Sequence, residues 1–119
     1  MSAEISLSVS ASGTKNGSTI SGGSKSYSVD MSGDPMISNI QAVGTSAETI
    51  QLGDITSLGF IHLRNMDATN YVEVAVDNFT NKIAKLKAGE CALFRATVNT
   101  LYIRANTAAC NVHVAAWSD

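Results

Sequence analysis

Polar and apolar residues alternate along most of the chain, and this alternation predicts β-strands. The clearest case is the stretch Leu58–Asp77, in which Ile61 and Leu63 are two residues apart and Val72 and Val74 repeat the same spacing. Strands show a period of two because successive side chains point to opposite faces of a sheet. The stretch therefore predicts two strands with a polar segment between them.

We expect these two strands to pair with each other as a hairpin around a loop at Asn65–Asn70. In that register Leu63 lies opposite Val72 and Ile61 lies opposite Val74, which gives one wholly aliphatic face. A slip of one residue would place valines opposite charged residues, so the pattern favours this register over its neighbours.

The other face of this expected hairpin is polar. The same register places Arg64 opposite Tyr71 and His62 opposite Glu73. These pairs are chemically complementary, which is typical of a solvent-facing row of cross-strand neighbours. The His62 and Glu73 pair is most simply a cross-strand contact and not a catalytic arrangement.

The first 32 residues are rich in serine, yet they also predict a hairpin. Apolar residues alternate with serines over residues 5–10 and again over residues 26–32. Between the two segments lies Lys15-Asn16-Gly17-Ser18. Asn-Gly is the preferred pair for a two-residue type I′ turn, because both positions need a positive φ.

A β-bulge improves the register of this amino-terminal hairpin. Strict pairing about the turn would place Leu7 opposite Ser26, whereas one extra residue at Gly22-Gly23 places Leu7 opposite Tyr27. Glycine accommodates a bulge at the lowest conformational cost. The corrected hairpin has one apolar face and one serine face.

The tip of the hairpin, roughly Ala11–Gly23, contains few apolar residues with which to pack. It is either an arm that contacts a partner or a loop without a function, and the sequence favours neither. If it is an arm, its partner-binding residues are Lys15, Asn16, Gly17 and Lys25.

The rest of the chain predicts six further short strands and no helix, because no segment combines a 3.6-residue apolar period with helix caps. These strands are Ile37–Val43, Glu48–Leu52, Lys82–Lys87, Cys91–Ala96, Leu101–Ala105 and Cys110–Trp117. The short segment Ala88–Glu90 connects the third to a returning fourth. We therefore expect an all-β, single-domain antiparallel β-sandwich of jelly-roll type, with a hairpin arm at residues 1–36 and the sandwich body at residues 37–119.

Composition excludes several classes of function. The net charge is −2, which does not favour nucleic acid or an anionic membrane as a partner. No apolar run approaches the roughly 20 residues that a membrane helix needs. The segment MSAEISLSVSAS lacks the basic start and continuous apolar core of a secretory signal.

One part of the chain is locally basic. Five cations lie in a stretch whose only acid is Glu90. They form either a solvated strand face or a contact for an acidic protein surface. The five are Lys82, Lys85, Lys87, Arg95 and Arg104, and we include the three lysines among the candidate partner-binding residues.

The sequence predicts no catalytic, metal or cofactor site. Cys91 and Cys110 permit one disulfide, but we favour two reduced, partly buried thiols. His62 and His113 are too few, and too far from a cysteine pair, to predict zinc. No serine lies in a Gly-x-Ser-x-Gly elbow, so we expect a protein that is not an enzyme.

From Ile40 onward the chain resembles the small all-β virion proteins of tailed bacteriophages. The resemblance depends on four blocks, which together with the intervening strands cover about two-thirds of the chain. The blocks are Ile40–Ser46, Leu52–Thr56, Leu63–Val74 with its Asn-x-Asp-x-Thr-Asn core, and Leu86–Glu90 with the sequence Leu-Lys-Ala-Gly-Glu.

The resemblance implies a structural role. Proteins of this group decorate or cement the outside of an icosahedral head, often as trimers, and tie neighbouring major capsid subunits together. It implies the major capsid protein as partner, a homo-oligomer with a trimer favoured, and a location in the virion after assembly in the host cytoplasm. The exposed strand edges of a small sandwich also favour self-association.

Two other functions stay open at this point. One is a tail or head-fibre component that acts as an adaptor or receptor-binding knob. The other is a carbohydrate-binding module of a different class. The first would require a fibrous partner or an exposed aromatic sugar platform, for which Tyr71, Tyr102 and Trp117 are the candidates.

Overall fold

Ten β-strands form the regular structure of residues 4–119, which are the residues that the computed structural model describes. No helix occurs among them, and hence none that could cross a bilayer. The strands are β1 (Ile5–Lys15), β2 (Ser18–Val29), β3 (Met36–Val43), β4 (Glu48–Thr49), β5 (Leu58–Asn65), β6 (Val72–Ala75), β7 (Lys82–Leu86), β8 (Cys91–Arg95), β9 (Tyr102–Ala105) and β10 (Cys110–Ser118). The all-β prediction is confirmed.

The chain divides into two units, and the first of them ends at Ser32. Its strands β1 and β2 pair only with each other, as an antiparallel hairpin. At the turn Lys15 faces Ser18, and φ is positive at both intervening residues, 53° at Asn16 and 81° at Gly17. Positive φ at both positions defines the type I′ turn that Asn-Gly predicts.

The register of the amino-terminal hairpin also matches the expected one. Leu7 pairs with Tyr27, and serines 6, 8 and 10 pair with serines 28, 26 and 24. The register shifts where Ala11 faces Gly23 and Ser12 faces Ser21, so Gly22 is the extra residue. The bulge therefore falls at the predicted glycines.

The second unit, Gly33–Asp119, is a β-sandwich of two four-stranded antiparallel sheets. The strand orders are β3-β10-β5-β8 and β4-β9-β6-β7. The pairing is nested, with β3 on β10, β4 on β9, β5 on β8 and β6 on β7. The first and last strands of the body are consequently neighbours, and Met36, which we assigned to the arm, already pairs with Trp117.

The core of the body lies between its two sheets. β5 and β10 supply one wall, and β6 and β9 supply the other. Burying a branched aliphatic side chain stabilises a fold by about 1.5–3 kcal/mol, so this layer is the main source of stability for the sandwich. Its fully buried members include Ile61, Leu63, Val72, Val74, Ile103, Val112 and Val114.

The expected hairpin between β5 and β6 is wrong. β5 pairs with β10 and β8, whereas β6 belongs to the other sheet and pairs with β9 and β7. Leu63 and Val72 are both fully buried, but in opposite walls of the core. Alternation identifies which face of a strand is buried, but it does not determine which strand lies beside it. The same side chains are buried whether the neighbouring strand is the next in sequence or a distant one.

The polar row that we expected on that hairpin is wrong for the same reason. Arg64 pairs with Cys91 and His113, and not with Tyr71. The residues opposite Glu73 are Lys85 and Arg104, so it does not pair with His62. The segment after Leu86 likewise crosses to the other sheet, so β8 does not return beside β7.

Both crossings meet at Asn65, which is fully buried. Its amide Nδ2 donates to the carbonyl oxygens of Asn70, at 2.9 Å, and Leu86, at 3.0 Å. Its Oδ1 accepts a hydrogen bond from the backbone N–H of Asp67 at 3.0 Å. Its own backbone N–H donates to the carbonyl of Glu90 at 2.9 Å. The Asn65 side chain therefore ties the loop after β5 to the end of β7.

Candidate interaction surfaces

The hairpin residues that the sequence singled out are all exposed. Lys15 lies beside the turn formed by Asn16 and Gly17, and Lys25 lies on β2 opposite Val9. Thr14 and Thr19 share a hydrogen bond of 3.1 Å across the last pair but one before the turn. The tip is therefore an ordered turn with its cations turned to solvent.

Sequence reasoning predicted an apolar face on this hairpin but did not count its exposed side chains among the candidate contact residues. Ile20 is 77 % exposed, Val9 is 47 % exposed and Tyr27 is 39 % exposed. Along β1 the pairs Leu7/Tyr27, Val9/Lys25 and Gly13/Ile20 fall on one face, because their β1 members are an even number of residues apart. Leu7 is buried, whereas the part of this face towards the turn is open to solvent, as expected of a two-stranded sheet with a single layer.

The three lysines of the second unit lie at or just beyond strand β7, which forms one edge of its sheet. Lys82 Nζ lies 3.4 Å from Glu73 Oε2, and Lys85 Nζ lies 4.5 Å from the ring centre of Tyr71. Lys87 follows the strand and is exposed. Lysines protect an edge strand from pairing with another chain. This protective role explains why Lys82 and Lys85 lie on β7, and no binding partner is needed to explain it.

Glu73 organises the outer face of this sheet. It also accepts a hydrogen bond from Arg104 Nε at 3.2 Å, and the Arg104 guanidinium lies 4.2 Å from the ring centre of Phe79. Burial alone would raise the pKa of Glu73, but the hydrogen bonds and charges of Arg104 and Lys82 outweigh it and lower the pKa. Glu73 thus pairs with two of the five cations of the basic stretch, Lys82 and Arg104.

Acid should weaken the body through this carboxylate. A lowered folded pKa adds stability that is present above the unfolded value of 4.5 and is lost as the pH falls through the folded value. We expect the urea midpoint to fall slightly between pH 7 and 5, because the lowered pKa of His62 makes protonation favour the unfolded chain, and to decline further below about pH 4.5 as the carboxylates titrate. Asp67 and Asp77 act in the same direction, because backbone hydrogen bonds lower the pKa of each.

Two variants isolate the contribution of Glu73. Glu73→Gln should lower the midpoint at pH 7 and make its decline below pH 4.5 shallower, since the amide does not titrate. Asp54 is exposed in a turn of the body, so Asp54→Asn should leave the profile unchanged. Urea titrations from pH 7 to 3 would measure this, and parallel acid declines for the Gln variant and the parent would contradict it.

The three aromatic residues of a possible sugar platform are not brought together. Tyr71 and Tyr102 belong to the side of β6 and β9, and Lys85 covers the Tyr71 ring. Trp117 lies on β10 in the other sheet and is partly buried. The structure therefore offers no shared platform formed by these three rings.

The histidines lie on the sheet of β3, β10, β5 and β8. His113 Nε2 is 2.9 Å from Ser38 Oγ, with the roles of donor and acceptor set by the tautomer. His62 is half-buried, and burial together with the nearby His113 and Arg64 lowers its pKa. Within residues 4–119 no carboxylate hydrogen-bonds to His113, so the Ser38 pair lacks the acid that orients the base of a catalytic triad.

The cysteines are both free, as expected, but they differ in burial. Cys110 is buried, whereas Cys91 is exposed on β8, which corrects the expectation of two partly buried thiols. Burial, and secondarily Asp67, raises the pKa of Cys110. In the described part of the chain no three His, Cys, Asp or Glu side chains are grouped so as to hold a metal ion.

Comparison with known proteins adds no relative. No protein-family model, curated protein or solved structure matches the chain.

Proposed function

We propose that this chain is a non-enzymatic structural protein of a tailed-bacteriophage virion, which binds the outer surface of the head and stabilises it. Its partner is the major capsid protein, and several copies of the chain act together. Many copies of a modest contact strengthen a shell, because each bound copy holds its neighbours in place for the next.

The observation that carries the proposal is the amino-terminal hairpin. It is an ordered arm of two long strands whose apolar face leaves Ile20 77 % exposed and Val9 47 % exposed. Lys25 lies on that face opposite Val9, and Lys15 lies on it beside the turn. Exposed apolar side chains rimmed by polar groups are typical of protein-binding surfaces, and a flat hairpin needs no pocket in its partner.

The placement of the virion-like sequence blocks supports the same function. The block Leu63–Val74 and the block Leu86–Glu90 are distant in sequence, yet Asn65 bonds to residues of both, at Asn70 and Leu86. The blocks that carry the resemblance thus include residues that join the two sheets.

The strand pairing of the body is also compatible with that group. We assign the body to the jelly-roll type of double sheet, because its eight strands pair in a nested order and divide four to each sheet. Jelly rolls are common in viral capsid and lectin domains. This is an analogy of fold, so the function depends on the exposed hairpin and not on the fold class.

Purified phage particles provide the test. We expect the chain in copy numbers comparable to the major capsid protein, and we expect the purified chain to bind empty heads but not cell-wall glycans. Quantitative mass spectrometry of virions and a pelleting assay with stripped heads would measure these two properties. A handful of copies per particle, or binding to glycans with no binding to heads, would instead favour a fibre knob or a carbohydrate-binding module.

A further inference from the structure

Strand β3 is the one edge of the body that carries no protection against pairing with another chain. The body has four edge strands, β3 and β8 in one sheet and β4 and β7 in the other. β4 has only two residues, β7 carries Lys82 and Lys85, and β8 ends at Arg95. Short length and charge are the usual protections of an edge. β3 has eight residues, Met-Ile-Ser-Asn-Ile-Gln-Ala-Val, and none is charged.

The backbone of β3 presents unpaired groups at this edge. The N–H of Ser118 donates to the carbonyl of Pro35 at 2.9 Å, and these two residues lie directly opposite in the register of β3 and β10. Hydrogen-bonded pairs alternate along an antiparallel ladder, so the odd-numbered residues of β3 bond to β10. The N–H and C=O groups of Met36, Ser38, Ile40 and Ala42 therefore point away from β10, and no other strand within residues 4–119 pairs with β3.

Side chains along the edge are exposed as well. Met36 is 64 % exposed and Ile40 is 60 % exposed, and Asn39 between them is also exposed. Met36, Ile40 and the backbone groups that face the open edge thus form a continuous strip of apolar contact and unused hydrogen-bonding capacity.

We propose that a second copy of the chain adds to this edge, with the two β3 strands antiparallel about a two-fold axis at Asn39. Among two-fold registers that place open backbone groups opposite each other, this one alone pairs all four open residues of β3, Met36, Ser38, Ile40 and Ala42, with open residues of the second copy. Met36 then lies opposite the partner's Ala42, and Ile40 lies opposite the partner's Ser38, so each large exposed side chain meets a small one. The two sheets become one sheet that runs through both molecules.

The distribution of charge favours pairing of two copies through β3 and disfavours pairing through β7. Residues 35–44 carry no charge, so two copies meet without repulsion. Two β7 strands would bring lysines against lysines, which is destabilising. The contact is one strand wide, smaller than a standard stable interface, so we expect a Kd of about 10 µM.

Charge-swap variants test this arrangement. Asn39 is exposed and lies opposite itself across the axis, in a non-hydrogen-bonded position where side chains approach closely. Asn39→Lys and Asn39→Glu should each raise the Kd at least tenfold, and an equimolar mixture of the two should restore dimers. Asn78→Lys, in the exposed loop after β6, is the matched control and should dimerise like the parent.

Sedimentation velocity over roughly 1–300 µM would measure the dimer fraction, with circular dichroism to confirm that each variant is folded. A parent chain that stays monomeric at 300 µM would overturn the proposal. Trimers that persist in the Asn39→Lys variant would also overturn it, because that assembly would use another surface. The same holds if the mixture fails to associate although both variants are folded. The inference does not depend on the virion role, since none of these measurements involves a capsid.

Discussion

Asn65→Asp will lower the free energy of unfolding by about 4 kcal/mol at pH 7, which is a large part of the stability of a small domain. The substitution removes the amide that donates to the carbonyl oxygens of Asn70 and Leu86, and it places a carboxylate against those oxygens in a fully buried position. A buried group without its partner costs about 1–3 kcal/mol, and more when it is charged. Both crossings between the sheets depend on this side chain.

Asn111→Asp is the matched control. It makes the same change from amide to carboxylate, but at an exposed position on β10. We expect its effect to be within about 0.5 kcal/mol of the parent. Urea unfolding followed by the fluorescence of Trp117, the single tryptophan, would measure both variants. Similar losses of stability for the two would show that Asn65 does not join the crossings energetically.

Removal of the hairpin tip will abolish docking to heads while the body stays folded. Ser10 and Ser24 lie directly opposite each other, so an Asn-Gly turn can replace residues 11–23. The deletion removes Ile20 and Lys15, whereas the core cluster of the body contains only residues from Val43 onward. We expect capsid occupancy to fall at least a hundredfold, with the unfolding midpoint of the body nearly unchanged.

A pair of point variants locates the contact more sharply. Ile20 and Thr19 are adjacent on β2 and point to opposite faces of the hairpin. Ile20→Lys should reduce occupancy of stripped heads about tenfold or more, whereas Thr19→Lys should have little effect. Full occupancy by the deletion, or equal losses for the two lysine variants, would rule out the apolar face as the anchor.

The amino-terminal hairpin was predictable because all of its determinants are local. Two alternating segments flank an Asn-Gly turn, and the mismatch of Leu7 with Ser26 requires one extra residue, which Gly22 supplies. Pairing between strands that adjoin in sequence leaves few alternative registers. The type, turn and bulge of this hairpin therefore followed from the order of its residues.

The partners of β5 and β6 were not predictable in the same way. Their alternation correctly placed Leu63 and Val72 in the core, but a loop of six residues can either turn back in one sheet or cross to another. The choice depends on Asn65, whose amide bonds to Leu86, twenty-one residues away. A contact of that range has no signature in the spacing of neighbouring residues.

The candidate interaction residues were predicted in part. Charge alone identified Lys82 and Lys85, yet their contacts with Glu73 and Tyr71 depend on strand pairing that the sequence did not specify. Ile20 was missed because isoleucine is usually a core residue, so its presence among serines did not indicate that its side chain would be exposed. Its exposure became apparent only once β1 and β2 proved to form a sheet of two strands.

The nested pairing has a consequence for synthesis on the ribosome. β10 lies between β3 and β5 in its sheet, and it is the last of the strands to be translated. Until Cys110–Ser118 emerges, β3 lacks its only neighbour and β5 lacks one of two, so their apolar faces stay available to chaperones and to other nascent chains. Contacts of such long sequence separation also form slowly. The body should therefore complete this sheet only once β10 has left the ribosome.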